Sequence, residues 1–468
     1  MARTYDYDLL AIGSGPAGQK AAIQAAKLGA RAAVIDRAGM LGGVCTNTGT
    51  IPSKSLREAI LRHTSGRMHG ASMPEHGDET STMADLFSRS RIVIAKEVDV
   101  IRNQLARNGV AFFRGNAVFE DPHTVLITGE DIERRVTASH IVIAVGTHPA
   151  NPRGIELDGR TVVDSDGLLH LTRLPRSLVV VGAGVIGIEY TSMFAAMGVR
   201  VTVVEQRTQL LEFCDQQISE ALKVHLQDEN VTFRLGEQVT SVATHGGEAV
   251  TELASGKRIL SEAVLCSAGR VGATDTLGLD KAGLEADERG RLSVSKDFRT
   301  HVRHIFAVGD VIGFPSLAAT SMEQGRLAAC AALGASPELA AAELPIGVYT
   351  IPEISFVGRT EEDLTSASIP YETGISRYRE LARGAILGDT HGLLKLLVCS
   401  SSRRLLGVHA FGTGATELIH VGQAVMALGG TVDYLVGTVF NFPTLAEAYK
   451  VAALDATNKL RAISRLAA

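Results

Sequence analysis

Two glycine-rich segments carry the most readable chemistry in the chain. Gly13-Ser14-Gly15-Pro16-Ala17-Gly18 and Gly182-Ala183-Gly184-Val185-Ile186-Gly187 share the G-x-G-x-x-G spacing, and Asp36 and Glu205 each lie 23 residues beyond the first glycine of their segment. Such a segment suits a pyrophosphate. The first glycine permits a tight turn, the second lets backbone approach the anion, the third lets helix pack on strand, and free amides at the helix start meet the charge. The acid downstream then accepts ribose hydroxyls. Apolar stretches from Tyr7 to Ile12 and from Ser177 to Val181 lead into the loops, as strands should. Two bare strand-to-helix turns are the competing reading, and the matched acids argue against it. The pattern therefore predicts two dinucleotide sites.

Other residues bear on the same chemistry. Glu205 suits the 2'-hydroxyl of NAD, and Arg207, two residues on, suits the 2'-phosphate of NADP, so use of both is expected. Three apolar segments, His140 to Thr147, Ala263 to Arg270 and His304 to Val311, read as buried strands that reach a glycine (Gly146, Gly269, Gly309), the last followed by Asp310. Strand ends of this kind bring backbone near a nucleotide, though each reads equally well as plain core. Five cysteines lack C-x-x-C or Cys/His ligand spacing, so neither a disulfide framework nor a metal site is expected. Cys45 alone has suggestive neighbours, as a reactive thiol near a helix start or, the favoured reading, as an inert side chain.

The elements that must position these residues follow from length and pattern. With 468 residues and roughly 150 per domain, about three domains are expected. A net charge of -5 without a basic run excludes a nucleic-acid face. No leader-like apolar stretch opens the sequence, and no apolar run approaches the roughly 20 residues of a membrane helix, so a cytoplasmic protein is expected. The first unit runs to about Ile60, and Thr64 to Ser81 reads as a surface excursion. A helix capped by Thr82 and striped by Leu86, Val93, Ile94, Val98, Ile101 and Leu105 then stops at Asn108-Gly109, before short strands from Ala111 to Phe119. The second glycine unit begins after Pro175-Arg176-Ser177, ends near Ala273 and is inserted in the first. From about Pro345, strands at Gly392 to Val398 and Leu405 to Gly412 with helices at Ala415 to Leu428 and Thr444 to Leu460 read as a third, α+β domain. The fold class is α/β: two doubly wound Rossmann-type dinucleotide-binding domains and a C-terminal α+β domain.

One segment extends this reading. Gly42-Gly43-Val44-Cys45-Thr46-Asn47-Thr48-Gly49-Thr50-Ile51-Pro52-Ser53-Lys54 resembles the G-G-x-C-x-N-x-G-C-x-P-S-K segment of the pyridine nucleotide-disulfide oxidoreductases, and the resemblance covers nearly the whole chain. It implies non-covalent FAD at Gly13, Gly15, Gly18, Asp36, Cys45, Lys54, Gly146, Gly309 and Asp310. NAD or NADP would sit at Gly182, Gly184, Gly187, Glu205, Arg207 and Gly269. It also implies a catalytic ion pair of Lys54 and Glu189 beside the flavin N5. The implied divisions are 1–150 and 276–344 for FAD, 151–275 for NAD(P) and 345–468 for dimerisation, in a homodimer or higher homo-oligomer. Two positions depart from the pattern. Thr50 replaces the second redox cysteine, and Phe442-Pro443-Thr444-Leu445-Ala446-Glu447 replaces H-P-T-x-x-E, whose histidine serves the thiols. A threonine forms no disulfide and a phenyl ring moves no proton. Both departures resemble the branch of that family that moves hydride between NADPH and NAD, by a ping-pong route. A quinone or dye reductase and a non-catalytic nucleotide-binding redox sensor are the rivals. Glu447 and Tyr449 read as interface residues.

Overall fold

Strand Tyr7–Ile12 lies at the middle of a parallel sheet, between Ala32–Asp36 and Glu133–Ile143. Its last four residues are buried, as a strand covered on both faces requires. The structure, a computed structural model, describes residues 5–68, 83–130, 133–150, 152, 154–336 and 343–467. Ala111–Arg114 extends this sheet beyond Ala32–Asp36, and Ile305–Ala307 joins Glu133–Ile143 in parallel. The antiparallel strands Asn116–Asp121 and Thr124–Thr128 continue it from the early half of Glu133–Ile143. Helices Pro16–Lys27 and Ala318–Ala332 pack together on one face, with small residues at their contact: a Cβ on Gly325 would collide with the Ala17 carbonyl.

The chain leaves this unit along Thr147–Pro149 and returns along Arg270–Gly272, and the two runs pair antiparallel as a double crossing. Between them lies a second parallel sheet, ordered Thr232–Leu235, Arg200–Glu205, Ser177–Val181, Ala263–Cys266 and Val162–Val163. An antiparallel meander, Val239–His245, Glu248–Leu253 and Arg258–Ser261, covers part of it through Ala249 and Leu253, which cluster with Val179, Val204 and Val264. The C-terminal unit is a five-stranded antiparallel sheet with helices Ala415–Ala427 and Glu447–Ala467 against it. Leu393–Cys399 is buried on both faces because the second glycine unit lies across from the helices. There Lys395, fully buried, bonds both oxygens of the buried Asp215 at 2.8 and 2.9 Å and also bonds Glu361.

Several sequence expectations change. Helix Thr50–Met68 runs on past Ile60, against helix Met83–Arg107, where a surface excursion was expected from Thr64. The rest of that excursion and the Thr82 cap lie outside the described residues. The expected strand from His304 to Val311 is Ile305–Ala307 followed by a 3-10 turn, Gly309–Ile312, because Gly309 turns the chain at φ 78°. Asp310 therefore sits on that turn. Among the described residues no helix is long and apolar enough to cross a membrane.

Candidate active site

The two glycine loops have the same internal construction. Gly13 N–H donates to Ile35 O and Gly182 N–H to Val204 O, both at 2.8 Å, tying each turn to the neighbouring strand. A Cβ on Gly13 would strike Ala144 O, and one on Gly182 would come within 2.7 Å of Ser267 O. Cβ atoms on Gly18 and Gly187 would collide with the carbonyls of Gly13 and Gly182. The chain's own packing thus demands the first and third glycines. It does not demand the second: Gly184 has nothing within 4 Å of a would-be Cβ, and Gly15 only the Gly43 Cα at 4.0 Å. Gly15 and Gly184 open helices Pro16–Lys27 and Val185–Ala196 without a side-chain cap, so the first amides are left for an anion. This open cradle, repeated in both units, fits a dinucleotide pyrophosphate.

The two acids brace these loops. Asp36 Oδ2 accepts from Ser14 N–H at 2.7 Å and Ser14 Oγ–H at 2.6 Å, and burial raises its carboxyl despite these bonds. Glu205 Oε2 accepts from Ala183 N–H at 2.7 Å. Arg207 lies fork-on-fork against Glu205, with Nε at 3.1 Å from Oε1 and Nη2 at 2.9 Å from Oε2. Burial alone would raise the Glu205 carboxyl, but the bonds from Arg207 and Ala183 outweigh it and hold it at about 2. Glu205 and Arg207 hold each other.

Lys54, on helix Thr50–Met68, and Glu189, on the helix of the second loop, form the expected ion pair at 2.7 Å. Glu189 is only 4 % exposed, which excludes a solvated helix position. Its second oxygen, Oε1, accepts Tyr349 N–H at 2.8 Å, and Lys54 Nζ lies 5.0 Å from the centre of the Tyr349 ring. The pair thus receives a third partner from the C-terminal unit, which sequence reasoning missed. Arg57, one turn beyond Lys54, was missed as well. It donates to Thr350 O at 2.9 Å and pairs with Glu353 at 3.0 Å. Its place three residues after Lys54 is the one hint in the sequence.

The Cys45 segment abuts the first loop. Gly42 N–H donates to Ser14 Oγ at 3.0 Å, and a Cβ on Gly43 would meet Gly15 Cα at 2.8 Å. Burial pushes the Cys45 thiol up, opposed by a hydrogen bond with Thr50 and the charge of Lys54. Thr50 therefore occupies the partner position with a hydroxyl, and Cys45 is a free thiol. Gly146 and Gly269 flank the double crossing, each with open space beside its Cα, and their carbonyls accept from Ala273 and Ala150 at 3.0 Å. Gly309 N–H donates to Gln324 Oε1 at 2.8 Å, and burial raises the Asp310 carboxyl. Near the C-terminus Phe442 is exposed and Glu447 accepts from Thr444 N–H at 3.3 Å. Tyr449 is not an interface residue of this chain's surface: it is fully buried, donates to Leu418 O at 2.8 Å and accepts from Gly422 N–H at 3.0 Å. A cleft of about 1150 Å³ opens at the amino ends of the second sheet, beside Leu178, Val201 and Ile351. The second glycine loop lies at the opposite, carboxyl ends, where nucleotides bind in such sheets.

With this geometry in place the class is defined: the chain belongs to the pyridine nucleotide-disulphide oxidoreductases, whose family pattern matches residues 7–325, with the family's dimerisation domain matching 344–453. It is an oxidoreductase. Among curated proteins it is 58% identical over 467 residues to the soluble pyridine nucleotide transhydrogenase of Mycobacterium tuberculosis, covering 98% of this chain and 99% of that one. It is 41% identical to the protein of the same name from Colwellia psychrerythraea, over 98% of this chain and 100% of the relative. Among solved structures it resembles LpdA of Mycobacterium tuberculosis (TM-score 0.87, 27% identity, 95% of this chain and 99% of that one). The HOCl-induced flavoprotein disulfide reductase RclA of Escherichia coli is similar too, with TM-score 0.86, 27% identity and coverage of 96% and 99%.

Proposed function

We propose that the protein exchanges hydride between NADPH and NAD, with FAD held non-covalently at the first glycine loop and the two nicotinamide nucleotides taking the second loop in turn. The observation that carries this reading is the intact Lys54–Glu189 pair beside a Cys45 whose neighbour is Thr50. Bound FAD would supply the hydride-carrier chemistry between the two nicotinamides. Lys54 places a fixed positive charge where negative charge accumulates, and the buried Glu189 keeps it aimed. Gly13, Gly15 and Gly18, with Asp36, Cys45, Gly146, Gly309 and Asp310, would hold FAD. Gly182, Gly184, Gly187 and Gly269 hold the nicotinamide nucleotide, whose ribose end meets Glu205 and Arg207. Thr50 and Phe442 remove the thiol relay, so no disulfide competes for the electrons. Residues 1–150 with 276–344, 151–275 and 345–468 are the corresponding domains. The exposed Leu428, Tyr434, Val439 and Phe442 supply an apolar face for a two-fold homodimer.

Initial rates with NADPH as donor and thio-NAD as acceptor, without quinone or oxygen, test the reading. Parallel double-reciprocal lines are expected, because one nicotinamide site serves both nucleotides. Intersecting lines would overturn the single site. Quinone turnover far above thio-NAD turnover would move the assignment to a quinone reductase, and a flavin that neither nicotinamide reduces would leave a nucleotide sensor. Scattering at micromolar concentration should give a dimer.

A further inference from the structure

The segment Tyr349 to Ile351 touches both helices that bear the ion pair. On the helix of the second loop, Tyr349 N–H bonds Glu189 Oε1, while Ile351 N–H donates at 3.0 Å to Ser192 Oγ, which in turn donates to Glu189 O at 2.7 Å. On the Lys54 helix, Thr350 O takes the Arg57 guanidinium. Three residues thus fix the relative placement of Lys54 and Glu189. The Tyr349 ring adds a direct contact: its face is 5.0 Å from Lys54 Nζ. With Glu189 Oε2 at 2.7 Å on one side and the ring on another, the ammonium loses its freedom to swing on a four-carbon stem. A cation on an aromatic face is held by the ring quadrupole, more strongly where water is scarce. Tyr349 itself is half-buried.

We infer that Tyr349 is a positioning residue for hydride transfer: its ring face holds the Lys54 ammonium in register with Glu189, and its amide orients the Glu189 carboxylate. The inference rests on the proposed role of Lys54. The ring face is the active part; the phenol hydroxyl bonds Thr416 and takes no part in the contact with Lys54.

The test compares Tyr349→Phe with Tyr349→Leu and Tyr349→Met in the FAD-loaded protein, the methionine variant matching bulk without a ring. In protein carrying 13C-labelled lysine, the Lys54 ε-methylene protons should show an upfield ring-current shift in the wild type and in Tyr349→Phe, lost in the other two. In the same two variants the flavin midpoint potential should become more negative, and stopped-flow reduction by NADPH should slow about tenfold with FAD content unchanged. Tyr349→Phe should match the wild type throughout. Wild-type shift, potential and rate in Tyr349→Leu, or equal damage in Tyr349→Phe, would overturn the inference. Lys54→Met separates the two levels: if it too leaves potential and rate unchanged, the proposed role of the ion pair fails; if it alone changes them, only the role of Tyr349 fails.

Discussion

Lys54 and Glu189 come from different units, yet each loses its nearest charged partner if the other is changed. Lys54→Met and Glu189→Ala should therefore both slow flavin reduction by NADPH, by roughly a hundredfold, the effect of about 2 to 4 kcal/mol of lost preorganised charge. FAD content should stay near one per chain, since the first glycine loop is elsewhere; stopped-flow absorbance and the flavin spectrum read both. At the ribose end the consequences are asymmetric. Arg207→Ala should weaken NADP more than NAD, whereas Glu205→Ala should weaken NAD more and also loosen the loop that Ala183 N–H anchors to it. The same carboxyl predicts a pH dependence. Its folded value, about 2, lies below the 4.5 of an ordinary glutamate, so its stabilising effect is full above pH 4.5 and is lost as pH falls toward 2. The difference in urea midpoint between wild type and Glu205→Gln should shrink across that interval, and a difference that grew on acidification would contradict the pairing.

A glycine loop behaves as one element, and its three glycines should fail in different ways. Gly187→Ala forces a methyl into the Gly182 carbonyl and should cost about 1 to 3 kcal/mol of stability, as overpacking does. Gly184→Ala meets nothing within 4 Å and should leave the melting temperature nearly unchanged while weakening nicotinamide nucleotide binding. Thermal melts and fluorescence titration separate the two effects. That difference also explains what the sequence made legible. The loops, their strands and their acids lie within about thirty residues and obey local sterics, so spacing alone exposed them. The helix stripe from Leu86 to Leu105 was equally plain. The Tyr349 contact spans 160 positions and Arg57 to Thr350 spans 293, and no local pattern marks either. Tyr449 misled because an aromatic residue on an apolar helix looks the same whether it faces its own core or a partner. The Asp310 turn was hidden inside an apolar run that reads as strand until Gly309 bends it.

Across the molecule, the buried Lys395–Asp215 pair and the Tyr349 segment join the second glycine unit to the C-terminal unit. One apolar core links them as well, running from Leu56 and Ile60 through Val180 and Leu265 to Ile354 and Phe411. Lys395→Met strands the Asp215 carboxylate and should cost about 3 to 5 kcal/mol, with much of it recovered when Asp215→Asn is added; a denaturation cycle on the two single variants and the double measures the coupling. Fastening of this kind ties the second glycine unit, and with it the loop that leads into the Glu189 helix, to the C-terminal unit. Under the proposed function one nucleotide would then replace the other without these units parting, so any part of turnover set by nucleotide exchange should track the viscosity of the medium.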